Sequence, residues 1–180
     1  QTLDEHGLSP YRTFDSISKF AELLGASRGE AFVPRISTHK VTDQTEIILI
    51  EPPCGSNTII IKSQLQVLFI DSGYACYQDE MHQVFRKLLP DFDRMRKTIL
   101  VTHADVDHCG LLPLFDEIIA SPRTAGCLRR EYDGQDGYRE QNPLHKPYIN
   151  ICKILTSYRA VDPARLSIPW RETGELHAPL

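Results

Sequence analysis

The stretch Thr102-His103-Ala104-Asp105-Val106-Asp107-His108-Cys109-Gly110 puts two imidazoles and two carboxylates within six residues, directly behind the run Thr98-Ile99-Leu100-Val101. Imidazole nitrogen and carboxylate oxygen together suit a zinc, iron or manganese ion that keeps a position open for water. A strand that fixes the root of such a loop and a helix that fixes its exit would hold the side chains against a common ion. The competing reading is a polar loop whose Asp and His side chains cap the next helix. Cys109 beside the loop reads first as a small buried filler, and second as a thiol ligand or a reactive group.

At these residues the chain resembles the metallo-β-lactamase superfamily of metal-dependent hydrolases, whose loop reads His-x-His-x-Asp-His. Asp105 stands where the second histidine would be, giving His-x-Asp-x-Asp-His, a variant that looks like the loop in the hydrolase domain of DNA-uptake channel proteins. The resemblance implies that His103 and Asp105 serve a first metal site and that Asp107 and His108 serve a second, with Asp107 also orienting the attacking water. A second point of resemblance is Phe69-Ile70-Asp71-Ser72-Gly73, similar to the superfamily's strand that finishes in Asp-x-Gly. By that likeness Asp71 orients the ligand loop through hydrogen bonds and Gly73 permits the close turn. The family also supplies a later His, a bridging Asp and a final His. His177 is the candidate for the later histidine, although no His-Thr-x-Gly-His pattern surrounds it, and no residue here answers to the bridging Asp.

The implied cofactor is a divalent metal, Zn²⁺ first with Mn²⁺ or Fe²⁺ as alternatives, as one or two ions. Asp105 adds a hard, anionic oxygen in place of imidazole, which favours Mn²⁺ or Fe²⁺ relative to an all-histidine site. The implied activity is hydrolysis by metal-activated hydroxide of an ester, amide, thioester or phosphoester. Alternatives are a phosphodiesterase or nuclease-like hydrolase, an oxygen-dependent iron enzyme, and a non-catalytic binding domain with an incomplete metal site.

The elements that must position these groups can be read from periodicity. Asp15 or Ser16 is expected to cap a helix carrying Ile17, Phe20, Ala21 and Leu24, stopped by Gly25. Glu46–Ile50, Asn57–Ile61 and Gln66–Ile70 read as an antiparallel meander, and their continuous apolarity predicts that both faces are covered. Met81, Val84, Phe85, Leu88 and Leu89 give a helix over Asp79–Leu89, ended by Pro90, with His82 off its apolar face. Thr98–Val101 is the next strand, reached by a crossover. Leu111, Leu114, Phe115, Ile118 and Ile119 predict a helix after the loop, with its N-terminus aimed back at the carboxylates.

Residues 123–141 interleave Arg123, Arg129, Arg130 and Arg139 with Tyr132 and Tyr138. They read first as a solvated mixed-charge surface and second as a phosphate or nucleobase contact. Ile151, Ile154, Leu155 and Tyr158 predict a further helix from Pro147, with His145 in the loop ahead of it, and His39 reads as a surface histidine.

The expected fold class is α/β (α+β), a metallo-β-lactamase-like αββα sandwich whose N-terminal half, with a helical insertion, this chain supplies. The resemblance covers roughly Ile47 to Ser121. The expected division is 1–45 as an extension with one helix, 46–122 as the metallo-hydrolase core, and 123–180 as a helical insertion and the start of a second half. The chain opens on Gln1 and looks like an N-terminal fragment.

The 180 residues suffice for a real core, and 41% hydrophobic with 24% charged residues is ordinary for a globular protein. A net charge of −4 gives no general pull toward nucleic acid or anionic membrane. A small-molecule substrate is therefore the favoured partner and nucleic acid the less favoured one. No membrane partner is expected, and the oligomeric state is left open. Five widely spaced cysteines without a Cys-x-x-Cys pair suit reduced thiols in the cytoplasm.

Overall fold

The computed structural model describes residues 2–5 and 7–169. Seven strands form one sheet in the order β1-β2-β3-β4-β5-β6-β7. They are β1 (Arg35–Lys40), β2 (Thr45–Glu51), β3 (Thr58–Ser63), β4 (Val67–Ile70), β5 (Thr98–Val101), β6 (Glu117–Ala120) and β7 (Leu166–Ser167). β1 through β4 pair antiparallel, with β2 to β4 the meander expected from the sequence, and β4 through β7 pair in parallel. The helices are α1 (Thr2–Glu5), α2 (Pro10–Ala26), α3 (Gln78–Leu88), α4 (Val106–Cys109), α5 (Pro122–Tyr132) and α6 (His145–Leu155). No helix among the described residues is long and apolar enough to cross a membrane.

Register explains which face is the core. Ile48, Ile50, Ile60, Phe69, Ile99, Val101, Ile118 and Ala120 alternate along their strands and are buried. Helices α2 and α3 close this face with Leu24, Met81, Val84 and Phe85. Phe69 meets three rings edge-on, with centroids 5.3 Å from Phe85, 5.9 Å from Phe92 and 5.0 Å from Phe115. Burying one such ring contributes roughly 1.5–3 kcal/mol. The opposite row, Ile47, Leu49, Ile59, Ile61, Leu68, Ile70, Leu100 and Ile119, is only partly buried. The expectation that both faces are covered is thus corrected: in the described residues one face is sealed and the other stays half open.

Several element readings are corrected with it. Helix α2 starts at Pro10 because Ser9 accepts from the Arg12 N–H and Pro10 presets the first turn. Ser16, expected as a cap, instead donates back to the Arg12 carbonyl at 2.9 Å. The helix also passes Gly25 to end at Ala26.

β1 escapes periodicity because an edge strand that is exposed along most of its length carries no alternation; His39 sits on it, exposed. The predicted helix over Leu111–Ile119 does not form. Leu112–Leu114 is a 3₁₀ turn around Pro113, and the β-branched Ile118-Ile119 pair enters β6 with Ile118 and Ala120 inward.

Ser121 accepts from the Thr124 N–H at 3.1 Å and so starts α5 where the sequence reads as a surface stretch. α6 begins at His145 itself, while Ile154 is 78% exposed and Tyr158 lies beyond its end. His82 is half-exposed and paired to Asp93 at 2.7 Å. His177 lies outside the described residues.

Candidate metal centre

The carboxyl ends of the parallel strands β4 and β5 lie side by side, and both open directly into chemistry. β4 runs into Asp71-Ser72-Gly73 and β5 into Thr102 and the ligand loop. Asp71 adopts φ 54° and Gly73 φ 76°, the left-handed region that a short polar residue or glycine enters most readily. This turn is sewn to the loop. The Ser72 N–H donates to the His108 carbonyl at 3.0 Å, and the Gly110 N–H donates to the Gly73 carbonyl at 3.0 Å. Gly110 passes so close that an added Cβ would stand 2.2 Å from the Ala75 nitrogen. A side chain has no room there, although its backbone is helical.

Asp71 is the hub of the polar contacts. One carboxylate oxygen accepts from the Thr102 N–H at 2.9 Å. The other accepts from the Thr102 hydroxyl at 2.8 Å and lies 2.8 Å from Nδ1 of His108. The same hydroxyl is 2.9 Å from Nδ1 of His103. With its proton given to Asp71, it accepts from Nδ1–H of His103, so that Nε2 is the ring nitrogen that faces Asp105. Both histidines are thereby held from behind and turn Nε2 toward the loop's carboxylates.

Those carboxylates sort into two pairs. Nε2 of His103 is 3.2 Å from Asp105, and Nε2 of His108 is 3.4 Å from Asp107. The two imidazole rings stand with centroids 4.0 Å apart, which joins the pairs into one cluster. A guanidinium completes it: Nη2 of Arg139 is 2.6 Å from the same Asp105 oxygen.

Burial opposes the charged form of His108, but Asp107 and Asp71, through hydrogen bonds and charge, outweigh it and push its pKa up to about 10. For Asp71, burial favours the neutral acid, yet His108 and the two Thr102 donors hold it below the usual carboxylate range. Asp107 is lowered likewise, against its burial, chiefly by His108. Cys109 is fully buried, donates to the His103 carbonyl at 3.3 Å, and has its thiol pKa pushed up by burial. It is the inert filler of the first reading, not a nucleophile.

His103, Asp105 and Asp107, but not His108, line one wall of a cavity of about 610 Å³ whose other walls include Arg123, Glu131, Tyr138, Arg139 and Lys153 from α5, α6 and the segment between them. Lys153 on α6 pairs with Glu131 on α5 at 3.0 Å and with Glu140, which fixes the two helices across the cavity. His145 does not line it.

No protein-family model matches the sequence. The chain is 35% identical over 101 residues to ribonuclease J of a Synechocystis species, a stretch that is 50% of this chain and 16% of that protein. The architecture, one seven-stranded mixed sheet with helices, is of the α/β class expected from the sequence. Among solved structures, a flavoprotein from Thermotoga maritima is 25% identical over 56% of this chain and 30% of its own, with a TM-score of 0.46. A metallo-β-lactamase with a HARLDQ motif from Cronobacter sakazakii is 18% identical over 56% of this chain and 39% of its own, with a TM-score of 0.42.

A divalent cation is what the metallo-β-lactamase likeness implies at this loop, and the donors fit it in kind. They are imidazole nitrogens with their far sides anchored and two carboxylates, of which Asp105 already faces a cation, Arg139. In number they come as two and two, and no three His, Cys, Asp or Glu side chains among the described residues converge on one point. A zinc ion takes four ligands, so each pair would be half of a site. Thr102, Ser72 and Gly110 were within the stretches singled out by sequence but carried no assigned role. Their signal was adjacency to Asp71 and His108 once the two strand ends are placed together.

Proposed function

We propose that this chain carries the metal-holding half of a metal-dependent hydrolase centre, with His103 and Asp105 taking one divalent ion and Asp107 and His108 a second. The observation that supports this best is the anchoring of both histidines from Thr102 and Asp71, so that their outward nitrogens meet the carboxylates at the cavity wall. A helix-capping loop needs no such arrangement. Asp105, which precedes α4, makes no side-chain cap hydrogen bond to it.

A divalent ion, when bound, supplies a Lewis acid and acidifies water near neutrality. The chain's own residues do the positioning. Asp71 holds His108, Thr102 links Asp71 to His103, and Asp107, on the cavity side, is the carboxylate that would orient water for attack on an ester, amide, thioester or phosphoester. The α5–α6 wall faces these groups across the cavity, where substrate contacts would fall.

A phosphodiester is the more specific reading. It is favoured by the similarity to a ribonuclease J and by Arg123 and Arg139 on the cavity wall.

The test is metal content and turnover together. The protein loaded with Mn²⁺ or Zn²⁺ should bind about one to two ions and hydrolyse an activated phosphodiester, and His103→Ala and Asp107→Ala should each lose both. Undiminished metal binding by both variants would refute the assignment. Activity on a lactone or thioester with none on a phosphodiester would reject the narrower reading, and full metal loading without turnover on any of these would favour a binding domain.

A further inference from the structure

Asp105 already has a cation. Nη2 of Arg139 lies 2.6 Å from the carboxylate oxygen that also faces Nε2 of His103 at 3.2 Å. Asp105 is mostly buried, and its partner reaches it from the loop between α5 and α6. That reach is built from both flanks of Arg139. Tyr138 is stacked under the guanidinium of Arg123, 4.7 Å from the ring centroid, and Glu140 is tied to Lys153 on α6. The neighbours on either side are pinned to two different helices, so the guanidinium is delivered to Asp105 by the fold of the cavity wall. A guanidinium keeps its charge at any working pH and therefore neutralises Asp105 permanently while it stays.

We propose that Arg139 is a placeholder cation for Asp105, which a divalent ion entering between His103 and Asp105 must displace. The inference rests on the metal-binding reading above. An ion bound to a carboxylate oxygen sits about 2.0–2.2 Å from it, and a second full positive charge at hydrogen-bond distance from the same oxygen is repelled. Ion and guanidinium therefore compete for this oxygen. Two consequences follow. The metal-free loop keeps its acidic residue compensated, and the segment 133–144 changes its hold on the cavity when the ion arrives.

Mn²⁺ titration followed by the loss of the free-ion EPR signal tests this without reference to turnover. Arg139 is half-exposed, so its substitution leaves the core intact. Arg139→Gln should bind Mn²⁺ about two- to fivefold more tightly than the unaltered chain at low salt, the range expected for losing a partly exposed competing ion pair. Arg139→Lys, which keeps the charge, should stay near the original affinity. The gain should shrink as salt screens the pair. In the unaltered chain, saturating Mn²⁺ should also quicken tryptic cleavage after Arg139. Equal or weaker binding by Arg139→Gln, or cleavage indifferent to Mn²⁺, overturns the placeholder and leaves the metal reading standing. Failure of all three proteins to bind Mn²⁺ or Zn²⁺ overturns both.

Discussion

Nδ1 of His108 sits 2.8 Å from the carboxylate of Asp71, a residue 37 positions earlier on the neighbouring strand end. The contact fixes the ring so that Nε2 faces Asp107, and it does so from a backbone conformation that asparagine shares with aspartate. Asp71→Asn therefore removes the charge without forcing the turn. Substitutions of groups that orient a ligand from behind cost typically 10–100-fold in metal affinity, and that loss is expected here for Mn²⁺ or Zn²⁺ measured by chelator competition. Unchanged affinity in Asp71→Asn would mean that the carboxylate serves only the turn.

The same pair sets a pH profile for the metal-free chain. His108 is raised from 6.5 to about 10, so its contribution is fully present below pH 6.5 and is lost as pH rises through about 10. Asp71 and Asp107 are lowered, so theirs is present above the usual carboxylate range and is lost on acidification. The urea midpoint measured with chelator present should therefore fall on both sides of a plateau, and His108→Gln should flatten the alkaline limb. Because a metal takes the neutral ring, an ion held by His108 as proposed would expel its proton. Affinity should consequently climb with pH across the neutral range, and a pH-independent affinity would place the ion elsewhere.

Much of the loop was legible because its signal is local. The spacing of His103, Asp105, Asp107 and His108 and the Asp-Ser-Gly after a strand lie within short windows, and parallel pairing of β4 with β5 brings those windows together. The stretch from Leu111 to Ile119 was misread because its apolar spacing satisfies a helical period. Only the turn at Pro113 and the burial of alternate residues Ile118 and Ala120 decide for a strand. Arg139 was visible as one arginine among four. Its contact with Asp105 depends on how α5 and α6 fold back over the sheet, which no local window contains.

Gly110 isolates steric fit from backbone conformation. Its φ of −63° suits any residue, yet a Cβ would lie 2.2 Å from the Ala75 nitrogen and 2.4 Å from the Gly73 carbonyl oxygen, both backbone atoms that cannot turn aside. Gly110→Ala must push the ligand loop away from the Asp71 turn, at a cost of about 1–3 kcal/mol or more. Calorimetry should show a lowered Tm, and metal affinity should fall with it. At Gly126, where nothing lies within 4 Å of an added Cβ, the same substitution within helix α5 should raise the Tm slightly.

The two faces of the sheet give the last contrast, carried by adjacent residues of one strand. Ile60 is fully buried opposite Phe69, whereas Ile61, paired with Leu68, belongs to the half-open row. Ile60→Ala removes a side chain from a packed cluster and should cost about 2–5 kcal/mol in urea unfolding. Ile61→Ala loses only the part of its surface that is covered, so its cost should be less than half of that. The relation also separates solvent from a hidden partner as what meets the half-open row. If Ile61→Ala proves as costly as Ile60→Ala, that row is sealed in solution by something packed against it, and Leu49→Ala and Leu100→Ala on the same row should then be equally costly.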